Sequence, residues 1–83
     1  MELQIITPNG FEKHEATAVF LPGAAGAFEV LHGHAPLIST LVAGDIRWRD
    51  ASGAESVRSI GSGAVMVEND IIKVCAESRR FSP

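Results

Sequence analysis

Two histidines one residue apart, His32 and His34, lie in the stretch LPGAAGAFEVLHGHAPLISTL, residues 21–41. On an extended segment an HxH pair points both imidazoles to one side and supplies two metal ligands, but a site needs a third and usually a fourth. Glu29, His14 and Cys75 are residues of suitable type. Glu29, however, alternates to the opposite face if the segment continues as a strand. The simpler reading makes the pair polar residues at a strand end, or one histidine packed before a turn. Glu12 and Glu15, with Lys13 and His14 between them, can be drawn as an acid/base pair, and a solvated hairpin tip explains them better.

Phosphate and nucleotide chemistry fare no better. Gly23 and Gly26 lack the Walker spacing and its Lys, and GSGAVM at residues 61–66 places Met66 where a dinucleotide fingerprint needs its third glycine. No nucleophile elbow is present, and Cys75 sits in an alternating apolar run, where a thiol is predicted to be buried and inert. A chain of 83 residues also struggles to enclose a water-free pocket while keeping a core. The expectation is a binding or coupling module with no catalytic residue, no cofactor and no metal. The alternative is a small metal-binding or adaptor β-barrel that uses His32 and His34.

The elements that must position these residues follow from composition and punctuation. With 46% hydrophobic and 20% charged residues the chain is too apolar for disorder, and it reads as one domain over residues 1–83. Its net charge of −3 is scattered, which argues against nucleic acid as a partner. The basic residues gather only at Arg79 and Arg80 and at Arg47 and Arg49, the latter read as an exposed strand edge. A single cysteine suits a reducing compartment. The start MELQIITPNG carries no secretory pattern, and every apolar run is too short for a membrane helix, so the chain is expected to be soluble.

Turn signals recur at Pro8-Asn9-Gly10, Pro22-Gly23, Gly33, Ala43-Gly44, Ser52-Gly53, Gly61-Ser62-Gly63 and Asn69-Asp70. Between them, Leu3 and Ile5, Ile46 and Trp48, Val65 and Val67, and Ile72 and Val74 alternate with other residues as half-buried strands do. The run ATAVFL is apolar on both faces, as a central strand would be. PLISTLVAG stays open: Leu37, Ile38, Leu41 and Val42 fit a helical face, while Ser39 and Thr40 favour strand. The class is all-β, with one helical turn at most.

Three segments then carry a resemblance. LPGAAGAFEVLHGHAPLISTLVAGDIR resembles the signature of the epsilon subunit of F-type ATP synthases (delta in mitochondria), with paired glycines before HAPL and an AG turn before IR. IGSGAVMVENDIIKVCAE is similar to that family's closing segment, and LQIITPNGFEKHEATAV to its opening strand. The resemblance covers nearly the whole chain. It implies a flattened barrel or β-sandwich of about ten short strands. It further implies a non-catalytic rotor subunit of the central stalk, on the cytoplasmic face of the energy-coupling membrane, which it meets only through the complex. Such a module clamps the gamma subunit to the c-ring, so that proton flow is coupled to ATP synthesis. By motif match, Gly26, Ala27, Phe28 and Glu29 fall in the loop facing the c-ring, and His34 and Ser39 in the region facing gamma. Burial in the core is nonetheless the stronger reading for Phe28. Inhibitory and ATP-sensing roles belong to two C-terminal helices of the family and are not carried over.

Overall fold

The computed structural model describes residues 1–79; Arg80, half of the terminal basic pair, lies outside them. Eight strands follow in chain order: β1 (Glu2–Thr7), β2 (Gly10–Glu15), β3 (Ala18–Leu21), β4 (Phe28–Leu31), β5 (Leu37–Leu41), β6 (Gly44–Arg49), β7 (Glu55–Glu68) and β8 (Ile71–Ser78). No helix occurs among the described residues. The open segment 37–41 is a strand because its alternate residues have separate duties. Leu37 and Leu41 turn toward the core, Ile38 and Thr40 face out, and the segment pairs antiparallel with β7 from Leu37↔Val67 to Leu41↔Gly63.

The hydrogen-bonded order is β2-β1-β8-β7-β6-β3-β4, with β5 on β7. Strand β7 organises the molecule. Its first half pairs with β6 and its second with β5, while β8 runs along the other side. Fourteen residues would need roughly 43 Å if straight, and the longest dimension of the Cα trace is 40 Å. The strand therefore bends, at a register shift between Ile60 and Gly63. Gly61-Ser62-Gly63, expected to be a turn, is this bulge. A Cβ on Gly63 would lie 2.6 Å from the Ala76 Cα, with the Cys75 carbonyl closer still, so only glycine lets β8 approach there. The bulge also accounts for part of the difference between eight strands and about ten. The rest lies in residues 22–24, which form a bridge, Gly23↔Leu41, instead of a strand.

Bending β7 folds the sheet into two layers. One carries Leu3, Ile5, Val65, Val67, Ile72, Val74 and Leu41 inward, the other Val19, Leu21, Val30, Ile46, Trp48 and Ile60, and all thirteen join one core. Each fully buried aliphatic side chain contributes roughly 1.5–3 kcal/mol. The β7–β8 hairpin closes through Asn69 (φ 53°) and Asp70 (φ 60°), the left-handed pair that two-residue hairpin turns require.

Three further expectations are corrected. Cys75 is exposed: its neighbours Val74 and Ile72 take the inward positions, and alternation sends the thiol out. Arg47 and Arg49 are not on an edge, since β6 is hydrogen-bonded to both β3 and β7; they occupy the outer face of an interior strand. Glu12 and His14 are not at a hairpin tip either. They lie on the inward side of β2 and fasten it across the sandwich. Arg58 of β7 donates two hydrogen bonds to the Glu12 carboxylate, His14 Nε2 donates to the same group at 3.1 Å, and the His14 ring packs 4.6 Å from Trp48. The Arg58 hydrogen bonds hold the Glu12 carboxyl below its ordinary range, against a smaller opposing effect of burial.

Candidate partner-docking surface

The stretch 21–41 folds into two loops at opposite ends of β4. Residues 22–27 leave β3 with the sheet's hydrogen bonding only partly given up. Val42 N–H donates to the Pro22 carbonyl at 2.9 Å and Ala24 N–H to the Thr40 carbonyl at 3.0 Å, which seats the loop beside the end of β5. Gly26 N–H returns to the Gly23 carbonyl at 3.0 Å. The two glycines have different reasons. Gly26 has φ +131° with open space around it, whereas Gly23 is buried, and a Cβ there would lie 2.6 Å from the Gly26 carbonyl oxygen and 2.8 Å from the Phe28 ring. A side chain at Gly26 therefore strains the fold before it touches any partner, and Ala27 beside it is the cleaner reporter of contact.

Of the four residues assigned to this loop from motif match, the structure places Gly26 and Ala27 at its exposed tip. Phe28 and Glu29 begin β4 instead. Phe28 is half-buried and packs against the core, and Glu29 faces outward opposite Phe20.

Residues 32–36 make the other loop. His34 N–H donates to the Leu31 carbonyl at 3.1 Å, and Asp70 in the β7–β8 turn takes two more donors: Gly33 N–H at 2.8 Å and His32 Nδ1 at 2.7 Å. His34 Nδ1 donates to the Ala35 carbonyl at 2.7 Å. Each imidazole of the HxH pair thus has its own local acceptor, and His14 is held against Trp48. No group of three or more His, Cys, Asp or Glu able to hold a metal ion occurs among the described residues. An open depression of about 840 Å³ lies between Pro8, Ala43, Gly61 and Glu77, and it gathers none of the histidines, nor Glu12, Glu15, Glu29 or Cys75.

What the arrangement offers is surface. Ser39, assigned to the gamma-facing region by motif match, lies on the inner side of β5, half-buried, with its hydroxyl donating to the Thr40 carbonyl at 3.2 Å. Its neighbour Ile38 is 79% exposed. Cross-strand register continues outward from Ile38 to Met66, and beside that row from Thr40 through Ala64, Cys75 and Ile6 to Phe11. Ile38, Met66 and Phe11 are large apolar side chains left to solvent. Motif spacing missed this band, although the outward places of the alternating pattern were its signal.

Comparisons with known proteins bear on what such a surface meets. A family model described as "ATP synthase, Delta/Epsilon chain, beta-sandwich domain" matches residues 1–81. A protein named ATP synthase epsilon chain from Desulforapulum autotrophicum is 36% identical over 92% of this chain and 57% of its own length. Another of that name, from Sulfurovum sp., is 42% identical over 84% of this chain and 56% of its own. The chain thus spans a little over half the length of these relatives. Among solved structures, a chain of the Euglena gracilis mitochondrial ATP synthase (OSCP/F1/c-ring) superposes with a TM-score of 0.82 at 18% identity, covering 89% of this chain and 48% of that one. A chain of the Tetrahymena thermophila enzyme's central stalk and c-ring gives 0.78 at 12% identity, over 94% of this chain and 63% of that one. At such identities the superpositions speak to the fold.

Proposed function

The chain belongs to the ATP synthase delta/epsilon-chain β-sandwich family, and from that premise we propose that it is a non-catalytic central-stalk subunit. In this reading it clamps the gamma subunit to the membrane c-ring, so that proton flow turning the ring is coupled to ATP synthesis. It performs no bond chemistry itself and sits peripherally at the cytoplasmic face of the energy-coupling membrane, held there by its partners. The observation that carries the proposal is the apolar band led by Ile38, uncovered by the chain's own described residues. An apolar patch of this kind marks a protein contact. His34 borders it on the loop before β5, and gamma docks there.

The loop tip at Gly26 and Ala27 stands at the other end of β4, roughly 13 Å away along that four-residue strand. It meets the polar loops of the c-ring. Two contacts at opposite ends of one short strand, hydrogen-bonded to β3 along its length, are what a clamp between two partners needs.

Titrating the folded chain with its cognate gamma subunit tests this. A one-to-one complex forms at micromolar concentration, and Ile38→Glu or His34→Glu weakens it by about tenfold or more while the melting temperature moves by only a few degrees. No complex between two folded proteins would sink the proposal. Equal losses of affinity and stability would mean that these residues serve the fold alone.

A further inference from the structure

The second layer has an outer face of different character. On it Phe20 lies in register with Glu29 of β4 on one side and Arg47 of β6 on the other. Ala18 lies similarly between Leu31 and Arg49, and across β6 the pairs are Arg47↔Val57 and Arg49↔Glu55. The Arg47 and Arg49 guanidinium carbons stand 5.6 and 5.9 Å from the Phe20 ring centroid. Leu31 and Val57, at 50% and 48% exposure, lie on either side.

A guanidinium attracted to an aromatic ring in this way keeps N–H donors available for an acceptor and has less side-chain freedom to lose. Those donors have little to do within the chain. Arg47 makes no ion pair among the described residues, and Arg49 reaches only Glu55, at 4.0 Å.

We infer that this face binds a second protein partner, one that presents a carboxylate beside an aliphatic side chain. The carboxylate takes the Arg47 fork bidentately, and the aliphatic group lies on Phe20 between Leu31 and Val57. The surrounding charge selects that partner. Glu29 and Glu55 flank the arginines in register, and the chain carries net charge −3. An extended polyanion such as nucleic acid or an anionic bilayer is repelled at the margins, whereas a single carboxylate fits between them. The face belongs to the other layer from the Ile38 band, so the inference does not depend on how gamma docks.

The test is a titration of the isotopically labelled chain, followed by amide chemical shifts, with the peptide acetyl-Leu-Glu-Leu-amide and its Gln counterpart. Saturable shifts are expected at Phe20, Arg47, Arg49 and Val57 and not at Ile38 or Met66. Affinity should be roughly tenfold lower for the Gln peptide. Arg47→Gln abolishes the response, and Arg47→Lys, which keeps the charge without the fork, retains only part of it. Three results overturn the inference: equal response to both peptides, shifts centred elsewhere, or no response at millimolar peptide. So does a response at these residues to phosphatidylglycerol vesicles alone, or to the chain's own concentration alone. These last would assign the face to a membrane or to a second copy.

Discussion

Replacing Gly23 by Ala isolates the packing that shapes the first loop. Gly23 has an ordinary φ, unlike Gly26, so the backbone accepts alanine and the unfolded chain gives up entropy that would stabilise the variant by about 0.4–1 kcal/mol. Against this stands the added methyl, 2.6 Å from the Gly26 carbonyl oxygen and 2.8 Å from two carbons of the Phe28 ring. The Gly26 carbonyl cannot retreat without disturbing the turn that Gly26 N–H closes on the Gly23 carbonyl, and overpacking of this kind costs about 1–3 kcal/mol. A net loss of about 1–2 kcal/mol follows, or about 4–16 °C in melting temperature for a domain of this size. Urea denaturation of Gly23→Ala, Phe28→Leu and the double variant measures it. Trimming the ring relieves half of the clash, so the double variant should be more stable than the sum of the singles by about 1 kcal/mol. If Gly23→Ala is as stable as the parent, or the two changes simply add, the close approach is not what makes glycine necessary.

Two further outcomes follow from the corrected positions. The Glu12 carboxyl is held low chiefly by Arg58, so its stabilising effect is complete above the unfolded carboxylate range and is lost as pH falls through the lower folded value. Glu12→Gln should therefore flatten the stability profile between about pH 5 and 3. The pair is a third to a half exposed, which limits the difference to about 0.5–1 kcal/mol; profiles of identical slope would show that the clasp contributes nothing. Cys75 should react with Ellman's reagent in native buffer within about tenfold of the unfolded chain's rate. A thiol that labels only in denaturant would contradict its outward placement.

How much of this was legible beforehand divides along physical lines. Alternation at Leu3 and Ile5, at Ile46 and Trp48 and at Ile72 and Val74 was readable because a sheet with one buried face imposes a period of two on its own sequence. The Asn69-Asp70 hairpin was readable because few residues tolerate left-handed backbone. Cys75 was misread because its residue type favours burial, while its place in the alternation beside Val74 pointed outward. Gly61-Ser62-Gly63 was misread because a bulge and a turn use the same residues, and only the pairing partner, Ala76 of β8, distinguishes them. At the candidate docking surface, motif spacing pointed to the segments around Gly26 and His34, which are loops. The sequence pattern alone could not show that Ser39 turns inward while Ile38 faces out, since β5 was also readable as a helix.

Strand β7 belongs to both layers, so a force entering one layer reaches the other along a single covalent backbone instead of through side-chain packing. Pulling along it loads the hydrogen bonds to β5, β6 and β8 in shear, many at once. The edge strands β2 and β4, each bonded on one side, are peeled bond by bond. The domain is thereby stiff in one direction and compliant at its margins, an anisotropy suited to a part that must carry load along one axis while its edges adapt to whatever they touch.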